Sequence, residues 1–156
     1  GSEMCIRDRV YASSWSGWSG TSQGTIPSLI GNMDRGGGTA YWSFGPDTNS
    51  KLKLFYYNGG EVHTLVTTAN VPLSQWVHIC AVKDTSGVTL YIDGTSSGGT
   101  NPANSPLSST SVPLTIGSFN NNSITGYVDE LRITKGTGTA RYTANFTPPT
   151  AAFPDF

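Results

Sequence analysis

The chain has 156 residues, enough to bury one core and too few for two sizeable ones, and its 12% of charged residues leave a formal net charge of −1. That balance supplies neither the basic footprint that nucleic acid demands nor a patch for an anionic membrane, so neither is expected as a partner. No apolar run approaches the roughly 20 residues of a membrane helix.

The first nine residues, "GSEMCIRDR", differ from the rest. They hold one of two cysteines, one of two methionines and four of the nineteen charged residues, whereas Ser, Thr, Gly, Asn and aromatics dominate from Val10 onward. "VYASSWSG" (10–17) reads as the end of a strand, with Val10 inward and Tyr11 outward, followed by a small-residue loop that exposes Trp15 and Trp18. "SLIGNM" (28–33) and "AYWSFG" (40–45) are the next candidate strands, with Asp34 in the Gly-rich turn between them. "KLKLFYY" (51–57) alternates, placing Leu52, Leu54 and Tyr56 on one face. "NGGE" (58–61) then supplies hairpin residues that tolerate positive φ. "EVHTLVTT" (61–68) follows. "WVHICAV" (76–82) is apolar on both faces apart from His78, as a central strand covered on both sides should be. "GVTLYIDG" (87–94) turns Val88, Leu90 and Ile92 inward and ends in an Asp-Gly hairpin turn. Prolines 102 and 106 mark residues 95–112 as a polar loop. "PLTIGSF" (113–119) and "GYVDELRIT" (126–134) are the last strands. Many short strands with polar, Gly-rich turns predict an antiparallel sandwich, and no stretch predicts a helix.

"QWVHICAVKDTSGVTLYIDGT", followed by "LTIGSFNNNSITGYVDELRITKG", resembles the laminin-G-like, concanavalin A-like jelly-roll superfamily. The pattern is a Trp-x-His strand, a hairpin ending in Asp-Gly, an Ile-Gly strand and a Gly-x-x-Asp-Glu-x-Arg-Ile strand. The tail "ARYTANFTPPTAAFP" resembles the ending such domains carry in phage tail, virion-surface and large bacterial surface proteins. The resemblance spans most of residues 10–154. It implies an all-β antiparallel jelly-roll sandwich within a larger extracellular or virion-surface protein.

A domain of this type should enter through a longer alternating strand than "VYASSWSG" provides. Back-translated as GGC TCG GAG ATG TGT ATA AGA GAC AG, the opening resembles a transposase adapter used in preparing sequencing libraries. Residues 1–9 are therefore read as adapter-derived, residues 10–147 as a jelly-roll domain lacking its first strands, and residues 148–156 as a Pro-rich extension. On that reading Met4 is not a biological start, and a Cys5–Cys80 bridge has no place. Cys80 becomes a small buried hydrophobe.

Catalysis by the glucanases of this fold requires paired glutamates on one strand, in the pattern Glu-x-Asp-x-Glu. In "YVDEL" (127–131), Tyr127 and Leu131 stand where those glutamates would be, and Glu130 should point away from Asp129. No catalytic residue is assigned. Asp129, on a face shared with Leu131 and Ile133, requires a partner, either backbone N–H groups or a structural calcium ion. The two imidazoles are read as structural, His78 as a packed side chain with one ring nitrogen satisfied. Trp42 and Trp76 are assigned to the core. Trp15, Trp18, Tyr57 and Asn58 are the candidate sugar contacts. The expected role is a non-catalytic module binding a glycan or cell-surface polysaccharide beside other domains of its parent. A spacer in a tail or surface fibre is the alternative, and a glycoside hydrolase is a distant third.

Overall fold

The computed structural model describes residues 4–18, 26–27, 29–32, 41–57, 62–84, 86–98, 112–119, 122–136 and 142–151. Every regular element among them is a strand. In chain order these are β1 (Met4–Ser14), β2 (Gly17–Trp18), β3 (Ile26–Pro27), β4 (Ile30–Gly31), β5 (Tyr41–Pro46), β6 (Lys51–Tyr57) and β7 (Val62–Asn70). There follow β8 (Val77–Lys83), β9 (Val88–Ile92), β10 (Thr95–Ser96), β11 (Thr115–Ile116), β12 (Ser118–Phe119), β13 (Asn122–Ser123) and β14 (Thr125–Lys135).

Two five-stranded antiparallel sheets face each other, one ordered β10-β9-β8-β1-β14 and the other β11-β4-β5-β6-β7. Alternation decides what lies between them. Leu52, Leu54 and Tyr56 of β6 and Val88, Leu90 and Ile92 of β9 join Phe44, Ile79 and Val10 in one buried cluster. Each such side chain contributes about 1.5–3 kcal/mol on leaving water. β8 lies between β9 and β1 and is buried along its whole length, as its two-sided apolar pattern predicts. The Asp-Gly turn forms as expected, with φ of 47° at Asp93 and 74° at Gly94, the geometry of a type I′ hairpin. The residues of "NGGE" lie outside the described set, but Tyr57 and Val62 pair on either side of them. "PLTIGSF" is split into β11 and β12 by Gly117 at φ 76°.

Strand β1 departs from the sequence reading. It starts at Met4 rather than Val10, and residues 4–9 fill the sheet position that was expected to be empty. The ladder to β8 runs without a break from Met4↔Lys83 to Val10↔Val77. Backbone pairing is indifferent to side chains, so a segment lacking an apolar alternation still completes the sheet between β8 and β14. The mismatch falls on the side chains. Ile6, Val10 and Ala12 enter the core, and Asp8 enters with them at 0% exposure.

The outer face of this sheet has two halves. Over one half, the segment around Tyr142 and Phe146 packs on Cys5, Cys80, Val82 and Tyr91. The Phe146 N–H donates to the Gly94 carbonyl at 2.9 Å. Arg7, 1% exposed, donates to the Tyr142 hydroxyl at 3.0 Å. The other half has no such cover among the described residues.

Candidate functional site: an exposed aromatic shelf

On the uncovered half, three aromatic rings from separate parts of the chain meet. Tyr11 of β1 and Tyr127 of β14 are a cross-strand pair, with ring centroids 6.1 Å apart and planes at 54°. Trp76, immediately before β8, lies 5.8 Å from Tyr11 at 58°. Trp76 is 44% exposed and Tyr127 69% exposed, although rings of this size ordinarily bury most of their surface. The Arg9 guanidinium sits 5.6 Å from the centre of the Trp76 ring, within cation–π range. Asp129, exposed, pairs with Arg9 across the strands.

Local structure holds the shelf in place. Ser74, at φ 58°, donates its N–H to the Ala12 carbonyl at 2.8 Å and ties the turn carrying Trp76 to β1. Gly126 lets β14 approach β1 beside Tyr11, since a Cβ there would collide with the Tyr11 carbonyl. Tyr11 and Tyr127 are therefore mounted on paired backbone and Trp76 on a turn tied to it, which lowers the entropic cost of binding.

Of the candidate sugar contacts expected from sequence, the side chains of Trp15 and Tyr57 are among the described residues. Trp15 is buried at 8% exposure, and its indole N–H donates to the Val71 carbonyl at 3.3 Å. The small residues around it allow the loop to fold inward instead of displaying the ring, so Trp15 belongs to the core. Trp18 pairs through its backbone with Ile26, and its side chain lies outside the described residues, as does Asn58. Tyr57 is half-buried on the other sheet, 5.3 Å from Tyr41, which in turn stacks on the buried Phe55 at 5.8 Å. Trp42 is a core residue at 7% exposure, as expected, whereas Trp76 is not. β8 begins one residue after Trp76, which stands outside the two-sided cover that buries the strand.

Asp129 also differs from expectation. Glu130 adopts φ 61° at a β-bulge where the β1–β14 register shifts between Arg7 and Arg9. The extra residue breaks the alternation, so Asp129 faces solvent while Leu131 packs against the core. Among the described residues no group of three or more His, Cys, Asp or Glu side chains comes together to hold a metal ion. Asp129 stands exposed opposite Arg9, and the Gly-rich turn carrying Asp34 lies outside the described residues.

Two titratable groups are strongly perturbed. Burial pushes the Asp8 carboxyl up to about 8, with the Asp129 charge adding to the rise and the Arg9 backbone N–H offsetting part of it. Among the described residues no well-formed hydrogen bond reaches either Asp8 carboxylate oxygen. A raised carboxyl beside a second carboxylate has the electrostatics of an acid–base pair, but Asp8 is sealed inside the sandwich and cannot reach a substrate. Burial, then the Arg7 and Arg9 charges, press His78 down to about 4 against the pull of Asp93. His78 packs edge-on against Phe146 at 5.6 Å, and among the described residues neither ring nitrogen has a hydrogen-bond partner, where one was expected. His63 stacks on Tyr56 at 4.6 Å, a packing role.

The sequence matches the family described as the concanavalin A-like lectin/glucanases superfamily over residues 11–141. No curated protein matches the chain. Among solved structures, domains LG4-5 of the mouse laminin alpha1 chain superpose with a TM-score of 0.61 at 17% identity, covering 98% of this chain and 41% of that one. A carbohydrate-binding protein so described from Bacteroides ovatus gives 0.60 at 14% identity, covering 90% and 38%. Domain 4 of AbnA, an extracellular arabinanase from Geobacillus stearothermophilus in complex with arabinotriose, gives 0.58 at 21% identity, covering 86% and 61%. The chain spans less than two thirds of each of these proteins, and at such identities the likeness is one of fold. With the match covering most of its length, the chain belongs to the concanavalin A-like lectin/glucanases superfamily.

Proposed function

We propose that this domain is a non-catalytic carbohydrate-binding module of a larger extracellular protein, and that the sugar docks on the shelf of Tyr11, Trp76 and Tyr127. The observation that carries the reading is the contact of these three rings on an uncovered sheet face. The C–H groups of a sugar ring, slightly positive, fit the negative faces of Trp76 and Tyr127, and Arg9 and Asp129 beside them can hydrogen-bond hydroxyls. The reading gains support from the family, which comprises lectins and glucanases, and from a neighbour solved with arabinotriose.

A glycan array that includes arabinan oligosaccharides tests it on the full chain, with Trp76→Ala and Tyr127→Ala beside Tyr57→Ala. Reproducible binding that both shelf variants lose and Tyr57→Ala keeps is the expected result. Silence across diverse glycans would sink the reading and favour a structural spacer of a tail or surface fibre.

A further inference from the structure

The inward face of β1 carries Ile6, Asp8, Val10 and Ala12, and three of these four belong in the core where they stand. Asp8 does not. Its cross-strand neighbour on β8 is Ile79, its neighbours along the strand face are Ile6 and Val10, and its carboxylate is fully buried with no well-formed hydrogen bond among the described residues. A buried carboxyl in such surroundings is among the least favourable occupants a core position can have. The backbone around it is well matched, with an unbroken ladder to β8. The register of β1 against β14 breaks between Arg7 and Arg9, at Asp8 itself. Residues 4–9 thus supply a strand whose backbone suits the slot and whose one ill-matched side chain is that of Asp8.

We propose that the slot between β8 and β14 is a strand-accepting site, and that an extended peptide with apolar side chains at the positions of Ile6 and Asp8 displaces residues 4–9 from it. Main-chain hydrogen bonds supply affinity for any strand, and the pocket that now holds Asp8 supplies the selectivity. Opening starts at the bulge, where the ladder is already interrupted. The charge that acts on Asp8 is that of Asp129, and among the described residues no cation forms an ion pair with Asp8 that an incoming apolar residue would break.

The experiment uses the full chain and three synthetic peptides: residues 1–12 as they stand, the same with Asp8→Val, and a scrambled control. Anisotropy of a labelled peptide reads binding, and hydrogen exchange reads which strand has moved. The peptide with Asp8→Val should bind, strip protection from residues 4–9 of the chain and leave β8 and β14 protected. At pH 7 it should bind roughly a thousandfold tighter than the unsubstituted peptide, whose free carboxyl at 3.8 must first take up a proton. That gap should narrow toward pH 4. A chain carrying Asp8→Val should resist exchange, because its own strand then fits. Equal binding of the two peptides, or equal binding to the wild-type and Asp8→Val chains, would place the peptide elsewhere and overturn the proposal. Absence of binding by the Asp8→Val peptide to a folded chain would overturn it as well.

Discussion

Replacing Asp8 by Val should stabilise the domain by an amount that depends on pH. The carboxyl goes from 3.8 when unfolded to about 8 when folded, so between those values the native state holds a proton that the unfolded chain has lost. Stability then falls with rising pH by about 1.4 kcal/mol per unit, and at pH 7 the accumulated cost is about 4 kcal/mol. His78 works in the opposite direction. It goes from 6.5 to about 4 on folding, so between 4 and 6.5 the unfolded chain holds the extra proton and stability rises with pH by the same slope. The two slopes cancel from about pH 4 to 6.5, leaving a plateau, and above 6.5 only the Asp8 loss remains, up to about 8. Asp8→Val removes that loss. The variant should gain stability with pH up to 6.5 and stay level from 6.5 to 8, and at pH 7 it should exceed the wild type by about 4 kcal/mol. Urea unfolding at half-unit steps from pH 4 to 8 measures this. A variant whose stability falls between pH 6.5 and 8 as steeply as the wild type would refute the reasoning.

Three further outcomes follow from the packing. Trp15→Ala should cost about 3–5 kcal/mol by opening a cavity, and Trp15→Phe should cost less while leaving the Val71 carbonyl without its indole donor; thermal melts of both variants would check this. Gly94→Ala should destabilise by about 2 kcal/mol, because φ is 74° there and the new Cβ would strike the Phe146 carbonyl. Its melt should be accompanied by faster exchange at the Phe146 amide. Trp76→Ala, by contrast, should leave the free energy of unfolding within about 1 kcal/mol of the wild type while weakening sugar binding by about 2 kcal/mol, some thirtyfold in Kd by calorimetry.

Much of the sandwich could be read from alternation. β6 and β9 show it cleanly, and β8 announces its central place by being apolar on both faces. Irregularities were not legible. The alternation that put Asp129 beside Leu131 fails at Glu130, where a non-glycine residue at positive φ inserts a bulge. Nothing in "YVDEL" signals it. Trp15 looked exposed because its neighbours are small, yet small neighbours also let the loop turn the ring inward onto the Val71 carbonyl. Residues 4–9 carry no strand pattern, and the open ladder between β8 and β14 made a strand of them regardless.

The shelf eluded sequence reading for a different reason. Its rings come from positions 11, 76 and 127, so no window contains two of them. The available signal was Tyr11, read as outward. Pairing its strand with "GYVDELRIT" would have set Tyr127 opposite it.

The measurement that tests the central claim most directly is a titration of the 15N-labelled chain with the glycan that binds best on the array, following the tryptophan indole resonances. The Trp76 indole should shift progressively and saturate, while those of Trp15, held to the Val71 carbonyl, and Trp42, buried in the core, stay in place. Saturable binding with the Trp76 resonance unmoved would contradict the account.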